Sequence, residues 1–400
     1  MLTTLAESYI HTIDPFAVHF SGNFGIRWYG LAYIAGIIIA WAVIRWLAKT
    51  NRSPVAVEAV GDLMLLAIIG VLVGGRLGYV IFYEPELFID FTRQVPFWGV
   101  LAINKGGMAS HGGIIGVVLA CWFFARRHRV PSLHILDMAA FTAPPGLFLG
   151  RIANFVNAEL WGRALPDAMW NNPPWWSVKY PQQVTNHWLA IVSPRTEPTP
   201  ELVRRVGSHL NITAPDLPAL REAVTAECAQ RLDIIQSKLQ PVLGGGETFY
   251  QRLLNAAQDT SANAHNQVME TLRPLLTPYY PSQIYQALTD GPILLLLLAI
   301  VWWKARKPGV VGAWFLIGYA VLRIATEFYR QPDLGVEPLS LGVVELSRGQ
   351  VLSALMLLAG VACLVIASQQ NVASLGGLKR VAAVTPVEES ESADDADARR

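Results

Sequence analysis

Arg76, Arg151, Arg323 and Arg330 stand near the ends of three long apolar runs, an unfavourable place for a charge. A guanidinium at membrane depth costs roughly several kcal/mol unless it lines a cavity or meets a counter-charge. Converging at one depth, these side chains would hold an anion at the lipid surface, where the most abundant anion is a phospholipid phosphate. Arg323, Glu327 and Arg330 share one helix face through their i, i+4 and i, i+7 spacing, so Glu327 can pair with either arginine. Arg151 is followed by Asn154, Asn157 and Glu159, polar partners that a lipid-facing arginine does not need. Tyr29 opens the first apolar run and His111 the third, adding a phenol and an imidazole. Such a set suits holding a phosphate-bearing anion, with an imidazole at the same side.

Each residue also has a plainer role open to it. An arginine at a helix end ordinarily extends its charge to the headgroups, and nothing beside Arg76 argues otherwise. His111 alone would be an interfacial hydrogen-bonding residue; Gly112 and Gly113 beside it remove side chains and would let a substrate approach the backbone. Tyr29 next to Trp28 fits an aromatic belt at the membrane interface, as do Trp170, Trp175, Trp176 and Trp188. Cys121 and Cys363 lie in apolar runs and read as small buried residues, and only Cys228 lies in a polar stretch, so no disulfide between water-exposed cysteines is expected.

Positioning these residues falls to helices that cross a bilayer. The 400 residues are 52% hydrophobic and 15% charged, the composition of a polytopic membrane protein, and a net charge of +1 gives no reason to expect nucleic acid. No Lys or Arg precedes Arg27, so the first run is a retained helix and not a cleaved leader. Seven spans are expected, at about 28–48, 62–83, 111–125, 133–155, 283–303, 310–329 and 350–367. Basic residues follow the odd-numbered spans: Arg45, Lys49 and Arg52; Arg126, Arg127 and Arg129; Lys304, Arg306 and Lys307; Lys379 and Arg380. The positive-inside rule puts these ends in the cytoplasm, with the N-terminus outside and the C-terminus inside.

The expected plan is all-α: an extracytoplasmic arm over 1–27, transmembrane helices over 28–157, an extracytoplasmic head over 158–282, further transmembrane helices over 283–367, and an acidic, disordered cytoplasmic tail within 368–400. Within the head, Leu220, Val224, Cys228 and Leu232 recur at helical spacing and predict a small helical cap over about 194–274. Pro144-Pro145-Gly146 would bend the fourth span or free its carbonyls. In this frame Tyr29, Arg76, His111, Arg151, Asn154, Arg323, Glu327 and Arg330 all lie toward the outer leaflet. There is no internal repeat.

Six stretches carry a family resemblance. They are Arg27-Trp28-Tyr29-Gly30-Leu31, Gly74-Gly75-Arg76-Leu77-Gly78-Tyr79, Ser110-His111-Gly112-Gly113, the run from Gly150-Arg151 through Asn154, Asn157-Ala158-Glu159 to Trp161-Gly162, Tyr280-Pro281-Ser282-Gln283-Ile284-Tyr285, and Arg323 through Glu327 and Arg330 to Asp333. In order and content they resemble the bacterial prolipoprotein diacylglyceryl transferases. Arg27, Ala158, Tyr280 and Gln286 depart from residues common in that family, and the head is longer. The resemblance implies transfer of the diacylglyceryl group of phosphatidylglycerol to the lipobox cysteine thiol of a preprolipoprotein. A thioether forms and glycerol phosphate leaves, the first step of lipoprotein maturation, at the bacterial inner membrane among membrane lipids. It also implies roles: Arg151 and Arg323 for the phosphate, His111 as base, Glu327 coupled to Arg323, Tyr29, Asn154 and Glu159 orienting headgroup, arginine and peptide, with Arg76, Gly162 and Arg330 on the substrate side. Neither metal nor cofactor is expected.

Magnitudes rank these roles. A unit-charge pair at about 4 Å in an effective dielectric near 20 is worth about 4 kcal/mol as an upper guide. Ionising a thiol of pKa about 8.5 at neutral pH accounts for at most about 2 kcal/mol. The phosphate clamp should therefore outweigh the base. A transporter for an anion or lipid headgroup would also want converging arginines, but transporters bind near the midplane between repeated halves. An intramembrane protease would need a serine or an aspartate pair deep in the spans. The added head helices, about 196–273, contain no proposed site residue and are expected to be accessory.

Overall fold

The computed structural model describes residues 7–21, 24–93, 95–103, 106–193, 197–246, 248–331, 339–340 and 345–379, and the fold is mostly helical. The acidic tail, Arg380, and Pro332 and Asp333 of the arginine run lie outside the described residues. Near the N-terminus come strand β1 (Tyr9–Ile10) and a hairpin of β2 (Phe16–Ser21) and β3 (Phe24–Arg27). The first half continues with helices α1 (Trp28–Lys49), α2 (Val60–Phe82), α3 (Ser110–His128) and α4 (Ser132–Val156). In α3 the cations Arg126 and Arg127 complement the negative helix end, and Arg129 then closes the helix in the left-handed region at φ 53°.

Close antiparallel pairing organises this half. A Cβ on Gly36 of α1 would come within 3.2 Å of the Gly146 Cα of α4, so the backbones touch there. The helix runs on through Pro144 and Pro145. Lacking N–H groups, these prolines leave the carbonyls of Ala140 and Phe141 without their usual donors. In the α2–α3 pair, a Cβ on Gly112 would sit 2.3 Å from the Gly74 carbonyl oxygen, and one on Gly116 1.9 Å from that of Gly70. Only glycine permits that approach.

The head follows. Strands β4 (Val178–Lys179) and β5 (Pro278–Tyr279) pair antiparallel, and β1 joins β4 in parallel, so the N-terminal arm is woven into the head. A wide-turned segment, Val184–Leu189, leads into α5 (Ala190–Val192), then α6 (Pro200–His209), α7 (Leu217–Leu243), α8 (Phe249–Gln258) and α9 (His265–Leu272). Thr199 and Asp216 cap α6 and α7 by accepting the N–H of Leu202 and Ala219. Val224, Cys228 and Leu232 point into a core shared with Ile235, Leu253 and Leu272, as their spacing predicts. Trp188 is only 1% exposed in that core, with the Arg231 guanidinium over its ring, and so is not an interfacial belt residue.

The second half contains α10 (Ser282–Leu288), a wide π-type turn at Thr289–Ile293, α11 (Leu294–Val301), α12 (Val310–Glu327) and α13 (Arg348–Gln369). Buried Asp137 of α4 accepts the Gly309 and Gly312 N–H groups at 2.7 Å each, capping α12 from a neighbouring helix. Ser347 and Gln350 form a capping box on α13.

Among the described residues, five helical stretches are long and apolar enough to cross a membrane: Trp28–Lys49, Val57–Phe82, Ser282–Val301, Val310–Glu327 and Arg348–Gln369. α3 and α4 occupy the other expected spans as helices but carry more polar residues, among them Arg126 and Arg127 on α3 and His134, Asp137 and Arg151 on α4. The outward faces are apolar, with Ile34, Ile38, Leu65, Leu119, Leu296, Ile300 and Leu358 exposed. Cys363 is exposed on this surface, unlike buried Cys121. The bundle's packed core gathers at one end: Leu47, Val60, Phe124, Ile135, Met138, Leu298, Trp302 and Val311. On every one of these helices that is the end away from the expected site residues.

Candidate active site at the unsealed end of the bundle

Arg151 sits in the penultimate turn of α4, and its Nε lies 3.1 Å from Asp290 Oδ2. The Asp290 side chain is wholly buried, whereas that of Arg151 is 18% exposed. Asp290 reaches this place because the π-type turn widens the helix and Gly291 lets it close on Phe148: a Cβ there would meet the Phe148 Cβ at 2.6 Å. The other carboxylate oxygen, Oδ1, is buried without a hydrogen-bond partner among the described residues. Asp290 occupies the Nε edge of the Arg151 guanidinium, and no hydrogen bond from a described residue occupies its two terminal nitrogens.

Arg323 and Arg330 flank Glu327 on α12 and the residues following it, as the spacing predicts. Arg323 Nη2 is 3.3 Å from Glu327 Oε2, and Arg330 Nη1 is 3.9 Å from Oε1. Ser347 donates to the same Oε1 at 3.1 Å, and Gly349 leaves space beside it: a Cβ there would lie 2.7 Å from that oxygen. Arg323 Nη1 is buried without a hydrogen-bond partner among the described residues. The charges of Arg151, Arg323 and Asp290 act on one another, so the α4 and α12 pairs form one electrostatic unit.

Tyr29, at the start of α1, donates to Asn154 Oδ1 at 3.1 Å and packs against Tyr33. Glu159 follows α4; its main-chain carbonyl accepts from Gln283 Nε2 at 2.6 Å. Burial raises the Glu159 carboxyl above the ordinary carboxylate range, opposed by Asn157 and the charge of Arg27. Gly162 bridges to Arg330 in β fashion, and a Cβ there would lie 2.2 Å from the Tyr280 carbonyl oxygen. Its visible task is therefore to let three backbone segments meet, and no side-chain group of its own faces a substrate.

Two expected members make no contact with the arginine–carboxylate pairs among the described residues. Arg76 neither reaches the headgroups nor joins the cluster. It is 5% exposed and donates to the carbonyls of Gly99, Val100, Gly106 and Gly107 at 2.6–3.0 Å, tying the α2–α3 connection in place. His111 lies exposed in the first turn of α3 and makes no hydrogen bond among the described residues. Gly112 does not clear room beside the imidazole, since the missing side chain makes way for α2.

Sequence reasoning missed Asp290, Ser347 and Gly349. A signal for Asp290 was present, an acid inside an otherwise apolar run, which by itself asks for a partner. Ser347 and Gly349 gave none, because a capping serine and a glycine at a helix start are ordinary.

Long apolar helices, an apolar outer face and buried arginine–carboxylate pairs at one end define a multi-pass membrane protein with a polar site between its helices. The family model described as prolipoprotein diacylglyceryl transferase matches residues 15–366, and the chain belongs to that family. It is 41% identical to the phosphatidylglycerol-prolipoprotein diacylglyceryl transferase of Bdellovibrio bacteriovorus over 372 residues, covering 93% of this chain and 97% of the relative. It is 32% identical to the protein of the same name from Rhodospirillum rubrum, over 91% of this chain and 96% of the relative. With the Ruegeria pomeroyi protein of that name it shares 32% identity, over 85% and 90% of the two chains. The chain is thus a transferase of lipoprotein biosynthesis.

Proposed function

We propose that this chain transfers the diacylglyceryl group of phosphatidylglycerol to the lipobox cysteine thiol of preprolipoproteins at the site framed by Arg151, Asp290, Arg323 and Glu327. The sulfur attacks the glyceryl carbon bearing the phosphate, a carbon–sulfur bond forms, the carbon–oxygen bond to phosphate breaks, and glycerol phosphate departs. The thiol proton goes to His111. Arg151 and Arg323 stabilise the charge that develops on the leaving phosphate. Asp290 and Glu327 set the orientation of the two guanidinium groups. Tyr29 and Asn154 form one wall, and Glu159 lies beside the peptide path. Gly162 and Arg330 close the site toward the head.

One observation carries this most: among the described residues Arg323 Nη1 is buried without a hydrogen-bond partner and Asp290 takes only the Nε edge of Arg151, so two guanidinium groups from different helices retain donors for a phosphate.

The chain crosses the bacterial inner membrane seven times, with α3 and α4 completing the five apolar helices, and has its N-terminus outside and its C-terminus inside. Supporting this, β1 pairs with β4, so arm and head share one side, and the arginine ends of α4 and α12 adjoin that head. The test uses purified protein in phosphatidylglycerol vesicles with a lipobox peptide. The expected result is a peptide heavier by one diacylglyceryl group and release of glycerol phosphate, with none in phosphatidylethanolamine vesicles. An unmodified peptide alongside anion or headgroup flux would replace transferase by transporter.

A further inference from the structure

The helical insertion is not closed upon itself. His209, the last residue of α6, is 5% exposed, and both of its ring nitrogens are engaged outside the insertion. Nδ1 lies 3.0 Å from the Tyr279 hydroxyl on β5, and Nε2 lies 2.5 Å from the Gln331 side-chain nitrogen. Its main-chain carbonyl accepts from the Thr277 hydroxyl at 3.0 Å. Gln331 directly follows Arg330, whose carbonyl accepts from Arg163 Nε at 3.1 Å and whose guanidinium faces Glu327. An insertion helix, a head strand and the chain leaving α12 therefore meet at one imidazole.

We propose that His209 is a positioning residue of the transferase: it fixes the exit of α12 against the head, so that Arg330, Glu327 and Arg323 hold one alignment toward the phosphate. This rests on the site proposed above. The bonding is directional. The Gln331 amide nitrogen donates to Nε2, a bond that only the neutral ring can accept, and Nδ1–H then donates to the Tyr279 oxygen. The surroundings keep it neutral. The His187 ring stands 5.1 Å away, Arg205 on α6 brings positive charge near both histidines, and Arg231 of α7 acts on Tyr279. Burial, with these charges, holds His209 well below the ordinary histidine range.

The test compares wild type, His209→Phe, Gln331→Leu, their double variant and Arg323→Lys, all full-length in phosphatidylglycerol vesicles, with kcat and KM measured on a lipobox peptide. His209→Phe keeps a ring in the pocket and removes both bonds. Each single variant should lower kcat about tenfold, within what a misplacement near 1 Å produces, and leave KM for the lipid within about twofold. Because both act through one bond, the double variant should be no worse than the poorer single variant. A folded His209→Phe protein with wild-type kcat, or losses that multiply in the double variant, would overturn the proposal. Should His209→Phe fail to fold, wild-type kcat in Gln331→Leu would overturn it alone. Activity surviving in Arg323→Lys would instead remove the site itself, whatever His209 does.

Discussion

In the proposed mechanism Arg151 and Arg323 act through their shape as much as their charge. Lysine at either position keeps the charge and loses the planar fork, so both substitutions should lower phosphatidylglycerol-dependent lipidation about a hundredfold or more. Near-normal turnover in both would show that neither holds the leaving phosphate. Asp290→Ala leaves Arg151 without its carboxylate. Since that arginine is partly exposed, the loss should be about 2 kcal/mol, less than for a fully buried pair, and read as a lower melting temperature in detergent. His111→Asn should keep lipid binding and lose turnover at neutral pH. Raising the pH should restore part of it, because the substrate thiol then ionises unaided. Wild-type rates of that variant at pH about 6.5 would exclude His111 as the base. The Arg323–Glu327–Arg330 group was legible in sequence because helical spacing alone sets it. Asp290 was not, since its partner is 139 residues away and only the fold joins them. Arg76 misled for the same reason: the carbonyls it serves belong to a loop whose path no periodicity reveals.

At the scale of elements, α2 and α3 pack backbone to backbone, so Gly112→Ala must push them apart. A loss of about 1–3 kcal/mol is expected in chemical or thermal unfolding, with activity falling as His111 shifts at the mouth of α3. The head should respond to acid. Burial lowers His187 to about 4 and His209 well below its ordinary value, so folding favours their neutral forms. In the unfolded chain both titrate near about 6.5, so their contribution is whole above that pH and declines as pH falls below it, toward about pH 4 for His187. Limited proteolysis of the head at pH 7.5 and 5 should show faster cleavage in acid, with a weaker dependence in His187→Phe. Helices were legible because their apolar residues recur and their ends carry caps and charges. The strands of two residues were not, since such pairs hold no period and form only when arm and head meet. Trp188 was misplaced because an indole in a polar stretch looks the same in sequence at a lipid surface and in a helical core.

Across the whole molecule, the bundle is sealed by large apolar side chains at one end and holds its charges at the other, with the head beside them. The proposed orientation predicts that a cysteine placed at Pro215 reacts with a membrane-impermeant reagent in intact cells and one at Ser132 does not. The reverse would invert the molecule. Five apolar helices were legible from composition; the lower apolarity of α3 and α4 goes with duties that a hydropathy count cannot see, such as capping α12 with Asp137 and holding Arg151.

The Arg151–Asp290 pair also has a history within each chain's synthesis. On the proposed seven-span plan, Arg151 enters the bilayer with α4 while its counter-charge is still 139 residues from being made, beyond the entire head. On that plan the nascent N-terminal half stands for some seconds with an uncompensated guanidinium near the proposed outer rim, at elongation rates of about 5–20 residues per second. The second half arrives as the group that lets α4 settle to its final depth. Maturation of the site is thus a late event, and a ribosome halted after the head would leave a membrane-inserted chain whose fourth helix has yet to find its resting place.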